Sequence, residues 1–305
     1  MTEKTMKALV YHGPHQFSLD DMPVPQIQEP GDVILRVTLA TPCTSDIHIL
    51  EGHIPFVKYP ITLGHEFCGE IVELGSAVEG FKVGDRVTCL PGAICNECEM
   101  CKSGYPSFCT YGGCYGNFKH LPGALAEYIR IPFALQTMKH IPEGLVEEDV
   151  LLAGDMLGTA WFGITNAEVK KGDSIAVFGV GPVGMCACIL AKKVFEAKTV
   201  IAVDLAQYRL DAVMNAGVAD YIINSGEEDP VKKIREITGR KGVNAVVETA
   251  GVQSTMTAAA RSLGIGGILS TISLFAKPLE LPLDLMPNRN LQLKTGIQQC
   301  QGVDT

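Results

Sequence analysis

The chain holds one tryptophan among 305 residues, and aromatic side chains make up only 7 % of it. With 32 glycines, that composition suits a glycine-rich α/β enzyme and not a helical bundle. Charge is also sparse. Charged residues are 19 % against 47 % hydrophobic, which excludes a largely disordered chain and leaves enough apolar material for two cores. Positive charge is in deficit: 25 Lys and Arg face 34 Asp and Glu, a net −9. Such a field does not attract a phosphate backbone, so nucleic acid is excluded as the main partner.

No apolar segment follows the polar residues 1–7, so the sequence predicts no secretory signal. The uncharged stretch at residues 175–191 would span roughly 26 Å as a helix, short of the ~30 Å hydrocarbon core. Gly179, Gly181, Pro182 and Gly184 interrupt it. A strand, a turn and a buried helix account for it better than a membrane span. Eleven cysteines, an odd number, exclude a full disulfide framework and favour a reducing cytoplasm.

The rhythm of the chain changes near residue 157. Before it, residues 7–11, 32–40, 66–74, 86–90 and 125–131 read as strands separated by Gly and Pro, with few helices. After it, strands at 174–178, 199–204, 221–224, 243–249 and 267–272 alternate with helices at 182–195, about 205–215, 230–238 and 254–263. That alternation predicts βαβ units and a parallel sheet. Residues 291–295 read as one more strand. Residues 267–272 are expected to form an edge strand available for pairing with a second copy.

Gly179-Val180-Gly181-Pro182-Val183-Gly184 fits G-x-G-x-x-G after a strand and before a helix. The first glycine makes the tight turn, the second admits a pyrophosphate, and the third lets helix pack on strand. Asp204 ends the next strand, where a carboxylate holds ribose hydroxyls and repels a 2′-phosphate, favouring NAD over NADP. Arg209 suits an adenine contact or a plain surface role equally.

Cys95, Cys98, Cys101 and Cys109 are spaced C-x2-C-x2-C-x7-C. Four thiolates from one loop suit a closed, structural Zn²⁺ site. An iron–sulfur cluster is the second choice, but the ferredoxin-type C-x3-C-P ending is missing and there is no second run. Cys114 falls outside the pattern. Cys43, His65 and Asp155 are each ambiguous alone, since a cysteine is usually core and an Asp before a helix is usually a cap.

At these residues the sequence resembles the zinc-dependent medium-chain alcohol dehydrogenases. Gly64-His65-Glu66, the run from Gly69 to Ser76, the turn Gly84-Asp85-Arg86-Val87, the four cysteines and the glycine turn occur in that family's order. The resemblance implies an α/β chain. Its GroES-like, irregular β catalytic domain would span residues 1–157 with a shortened return segment at 296–305, and its Rossmann NAD-binding domain residues 158–295, the active site lying in the cleft between them. It also implies two zinc ions per chain. The catalytic one would be held by Cys43, His65 and Asp155 with Glu66 able to enter, and the structural one by the four cysteines. Ser45 and His48 would form the proton relay, and Thr159 would contact the nicotinamide. Gly179, Gly181, Pro182, Val183, Gly184, Asp204 and Arg209 would hold NAD.

The implied function is interconversion of a secondary or small primary alcohol and its carbonyl compound by hydride transfer, in a cytoplasmic homo-oligomer, dimer or tetramer. Polyol, threonine or formaldehyde-adduct dehydrogenases are enzyme alternatives. A truncated, non-catalytic protein that binds NAD and zinc is the alternative of another class. Two features depart from the secondary-alcohol branch that the segment around Cys43 resembles. The four-cysteine loop is present, and Asp204 favours NAD. The chain is also expected to be several tens of residues short of the family's usual end.

Overall fold

The computed structural model describes residues 4–117 and 121–299. The chain divides into two units, Met1–Asp155 with Gln299–Thr305, and Met156–Gln298. Of the expected return segment, residues 296–298 fall in the second unit and residues 300–305 lie outside the described residues.

The first unit is built on a five-stranded antiparallel sheet in the order Met138–His140, Arg86–Cys89, Glu66–Leu74, Val33–Thr41, Tyr128–Ile131. Side chains alternate across a strand, so Val33 and Leu35 point with Phe67, Ile71, Val87, Ile129 and Ile131 into one core. A smaller sheet orders Gln16–Pro23, Thr5–Gly13 and Ile61–Thr62. The strand Gln16–Pro23 is missing from the sequence reading for a physical reason. Phe17 and Leu19 are 56 % and 65 % exposed, so no buried face marks it. Antiparallel pairing with Thr5–Gly13 holds it instead, Leu19 opposite Leu9. The helix Thr44–Leu50 was also not expected; it is short and begins at Cys43.

The second unit opens with the helix α1 (Met156–Asn166). Its elements run β1 (Ser174–Phe178), α2 (Pro182–Lys193), β2 (Thr199–Asp204), α3 (Gln207–Asn215), β3 (Tyr221–Asn224), α4 (Pro230–Ile237), β4 (Val243–Glu248), α5 (Gln253–Ser262), β5 (Leu263–Thr271) and β6 (Gln292–Thr295). The strands are parallel, in the order β3-β2-β1-β4-β5-β6. That is the doubly wound dinucleotide-binding order, with the switch point at β1.

Period-2 alternation explains the two cores. Ile175, Val177, Val200, Ala202, Ala245 and Val247 face one side. Ala176, Phe178, Ile201, Val203 and Val246 face the other. Both faces are covered, so the strands read as continuous apolar runs. Each large aliphatic side chain buried there contributes roughly 1.5–3 kcal/mol. Local signals fix the helices. Asp229 accepts from the N–H groups of Val231 and Lys232 with Pro230 at the first helical position, and Gly217 (φ +65°) and Gly239 (φ +57°) follow the ends of α3 and α4. One expectation fails. Residues 267–271 belong to β5, which is interior because β6 pairs beyond it; β6 is the edge.

Candidate active site and metal centres

Cys43 immediately precedes the helix Thr44–Leu50, His65 precedes the strand Glu66–Leu74, and Asp155 ends the first unit. These segments are far apart in sequence, yet one ligand atom from each of Cys43, His65, Glu66 and Asp155 lies within 4.8 Å of the others. Asp155 Oδ2 is 3.4 Å from His65 Nε2 and 4.0 Å from Cys43 Sγ. His65 and Glu66 are buried, while Cys43 and Asp155 keep partial exposure. A thiol, an imidazole and two carboxylates converging in a buried corner have one economical explanation in chemistry, a divalent metal ion. The N/S/O donor set suits zinc with a position left for a substrate oxygen.

Asp46 builds this corner, and the sequence reading did not single it out. Its carboxylate is buried, 2 % exposed. Oδ2 accepts from the Cys43 N–H at 2.8 Å, and Oδ1 accepts from the Gly64 N–H at 3.2 Å. Oδ1 also lies 3.8 Å from His65 Nδ1. One side chain thus ties the segment before the helix to the segment before the strand. Cys43-x-x-Asp46 has the spacing of a capping box, the one sequence signal for it, but cysteine is not a usual first member.

Burial works against the charged form of His65, but Cys114, Asp155 and Cys43 together outweigh it and hold the imidazole well above its ordinary range. Cys114, outside the four-cysteine pattern, contributes to this shift.

Ser45 Oγ is 3.3 Å from His65 Nε2. No hydrogen bond joins Ser45 to His48 among the described residues. His48 Nδ1 instead meets His53 Nδ1 at 3.2 Å. Burial pushes His48 below the usual histidine value, and the neighbouring His53 adds to this. Thr159 lies in α1, and in the same helix Trp161 packs its ring on Phe195 with centroids 5.1 Å apart.

The four cysteines of the loop also converge. Their Sγ atoms are 3.5 Å apart for Cys95–Cys109 and Cys98–Cys101, 3.9 Å for Cys98–Cys109 and 4.0 Å for Cys95–Cys101. Four sulfurs at ~2.3 Å from a central zinc stand about 3.8 Å apart in a tetrahedron, whereas a disulfide needs about 2 Å. The observed spacings bracket the tetrahedral value. Backbone N–H groups of Cys95, Glu97, Cys98, Thr110 and Gly112 point at these sulfurs at 3.2–3.4 Å, as thiolates require. Those from Thr110 and Cys101 lead in pushing the Cys98 thiol down, while burial pushes Cys101 up.

In the second unit the glycine turn joins β1 to α2. Gly179 has φ +87°, and a Cβ at Gly184 would sit 1.9 Å from the Gly179 carbonyl oxygen. Beside Gly181, in contrast, the nearest atom to a Cβ would be Arg209 Nη1 at 4.0 Å. The second glycine thus faces open space at the start of α2, where N–H groups point outward and an anion is favoured. Pro182 and Val183 open that helix. Asp204 accepts from Val180 N–H at 2.6 Å and Ala206 N–H at 2.8 Å, with Arg209 Nη1 at 3.8 Å.

A second residue absent from the sequence reading supports the turn. Glu248 is fully buried at the end of β4 and accepts from Ala250 N–H, Gly251 N–H and the hydroxyls of Thr255, Thr271 and Ser273. The loop so fixed lets Thr249 donate to the Gly179 carbonyl at 2.7 Å.

Comparison with known proteins decides the family. Residues 29–143 match the alcohol dehydrogenase GroES-like domain, and residues 182–299 match the zinc-binding dehydrogenase family. The chain belongs to the zinc-type medium-chain dehydrogenase/reductase family.

An alcohol dehydrogenase of Cupriavidus necator is 36 % identical, the match covering 91 % of this chain and 79 % of that protein. A sorbitol dehydrogenase of Bacillus subtilis is 35 % identical over 92 % of this chain and 78 % of that one. Among solved structures, the alcohol dehydrogenase TADH from Thermus sp. ATN1 superposes with TM-score 0.89 at 32 % identity, covering 97 % of this chain and 85 % of its own. Two further structures hold a dinucleotide. A zinc-binding dehydrogenase from Sinorhizobium meliloti was solved with NADP (TM-score 0.87, 27 % identity, covering 97 % and 85 %). An alcohol dehydrogenase from Escherichia coli was solved with NADH (TM-score 0.86, 26 % identity, covering 97 % and 85 %). No described helix is long and apolar enough to cross a membrane.

Proposed function

We propose that the chain is a zinc- and NAD-dependent dehydrogenase that interconverts a small alcohol or polyol and its carbonyl compound. The convergence of Cys43, His65, Glu66 and Asp155 within 4.8 Å is the observation that carries this reading. Bound there, zinc supplies the Lewis acidity that favours an ionised substrate hydroxyl, and bound NAD⁺ accepts the hydride.

The rest falls to the chain's own residues. Cys43, His65 and Asp155 hold the metal, Glu66 stands within reach of it, and Asp46 orients the first two. Ser45, beside His65 Nε2, is positioned to take the hydroxyl proton. The His48–His53 pair carries a proton towards solvent, since His53 is the outer, more exposed member. In the second unit Gly179, Gly181, Pro182, Val183 and Gly184 form the pyrophosphate turn. Asp204, half-buried and flanked by two N–H donors, receives the ribose hydroxyls and disfavours a 2′-phosphate; Arg209 borders the same turn and Thr159 meets the nicotinamide. Cys95, Cys98, Cys101 and Cys109 bind a structural zinc.

No disulfide joins the described cysteines, which fits a reducing cytoplasm. The unpaired edge of β6 favours a homo-oligomer, dimer or tetramer, which light scattering would test.

The test is formation of reduced nicotinamide by the metal-loaded chain across small alcohols and polyols, with NAD⁺ and NADP⁺ compared. Turnover of one alcohol class with NAD⁺ is expected, lowered on the order of a hundredfold or more in Cys43→Ser. Zinc uptake at both sites with no turnover of any alcohol or polyol would overturn the assignment and leave a binding protein.

A further inference from the structure

The dinucleotide turn lies at the C-terminal ends of the parallel strands. At their opposite ends the second unit has a cavity of about 560 Å³, between the C-terminus of α4, the start of β5 and the turn before β6. Arg235, Arg240, Lys241 and Arg289 line it, with Asn288 and the 85 %-exposed Ile265. No acidic residue lines it, and among the described residues none of the four cations forms an ion pair.

Two of these guanidinium groups are held close together. Arg235 Nη2 donates to the carbonyls of Arg261 at 2.9 Å and Leu263 at 2.8 Å, and Arg289 Nη1 reaches the same two oxygens at 3.4 Å. Burial, followed by the charge of Arg289, pushes Arg235 below the usual arginine value.

A purely structural account would make these arginines caps on helix ends. It covers part of the charge only. The C-termini of α4 and α5 each present roughly half a negative charge. Together they offset about one of the four positive charges and leave the remainder facing the cavity. The chain as a whole is acidic, at −9, so this concentration of unpaired cations runs against its overall charge. The same net charge repels an extended polyanion, and the concave shape and volume suit a small one. Arginine forks match phosphate oxygens two at a time.

We propose that this cavity is a binding site for a multiply charged phosphate anion, separate from the dinucleotide turn. Arg235, which also donates Nη1 to the Arg240 carbonyl at 3.2 Å, and Arg289 form its fixed floor. Arg240 and Lys241, exposed at the rim, close over it.

The test is calorimetric titration of inorganic pyrophosphate into the full chain already saturated with NADH, which fills the dinucleotide site. Heat is the readout, so the result does not depend on the dehydrogenase assignment. One pyrophosphate per chain is expected, with Kd below about 1 mM. The double variant Arg240→Gln/Lys241→Gln changes only exposed side chains with no partner of their own, and should weaken binding about tenfold or more while the unfolding midpoint stays in place. Arg289→Gln should act in the same direction. A nucleoside triphosphate titrated in parallel separates two sources of the anion. Roughly tenfold tighter binding than pyrophosphate assigns a nucleotide, with Ile265 against its base; equal binding assigns the phosphate groups alone. Absence of binding in the wild type, or binding that the double variant and Arg289→Gln leave unchanged, would overturn the proposal.

Discussion

Asp46 Oδ1 stands 3.8 Å from His65 Nδ1, and the same buried carboxylate accepts N–H bonds from Cys43 and Gly64. The side chain one helical turn after Cys43 thus orients a histidine nineteen positions further along the chain. Metal ligands owe much of their affinity to such supports. Asp46→Ala should therefore weaken zinc at the Cys43–His65–Asp155 corner by about 10–100-fold. It should also cost about 1–3 kcal/mol, because two N–H groups lose a buried acceptor. Zinc competition with a chromophoric chelator and thermal unfolding measure the two effects. A variant that binds zinc like the wild type would show that Asp46 serves stability alone.

His65 offers a pH test. In the metal-free chain its pKa is raised well above 6.5, so it carries a proton near neutral pH. The sign follows from linkage. The folded state binds that proton more tightly than the unfolded state. The resulting stability is fully present below 6.5 and is lost as pH rises through the raised value. Zinc must displace the same proton, so its affinity falls on acidification, by about tenfold per pH unit for each proton displaced. Zinc isotherms across the neutral range, with proton release followed in weak buffer, check this. An affinity independent of pH would contradict it.

The glycine turn separates fold from binding. A Cβ at Gly184 would meet the Gly179 carbonyl at 1.9 Å, so Gly184→Ala should unfold or distort the second unit. Gly181→Ala places its methyl in open space, and stability should change by less than about 0.5 kcal/mol. The dinucleotide would then lose its close approach, and its Kd should rise roughly tenfold or more. Unfolding midpoints beside fluorescence titration of NADH measure both. Equal NADH affinity in Gly181→Ala would move the pyrophosphate elsewhere.

The proposed preference for NAD⁺ makes Asp204 a test of cofactor choice. Replacement by Ala should narrow the preference for NAD⁺ over NADP⁺, read as the ratio of kcat/KM values. It should also lower stability, since the N–H groups of Val180 and Ala206 lose their acceptor. An unchanged ratio would show that the carboxylate holds the turn and does not select the cofactor.

The legible parts of this protein are those governed by local rules. Strands with both faces buried, such as Ser174–Phe178 and Thr199–Asp204, read as apolar runs, and Asp229-Pro230 marks the start of a helix. The four cysteines announce a metal because their ligands lie on one loop. What escaped depends on long-range geometry or lacks a pattern. Gln16–Pro23 has no buried face to betray it. Glu248 is one carboxylate among many until the fold surrounds it with five donors. The His48–His53 contact is set by where the chain goes after the helix, and the spacing of two histidines does not encode it. Residues 267–272 read as an edge strand because local pattern marks a strand at 291–295 without saying which strand it pairs with, and that pairing is long-range. The four cations of the basic cavity are spread from Arg235 to Arg289, so no charge run exposes them.

The most direct test of the account is zinc content per chain by elemental analysis, on protein purified without chelator, for the wild type, Cys98→Ser and His65→Gln. The two clusters predict two zinc ions in the wild type. Cys98→Ser should lose the loop's zinc, and with it stability, because structural zinc binding is folding free energy. His65→Gln should lose the other and keep the loop intact. One zinc in the wild type, or loss of both in either variant, would contradict two independent metal centres.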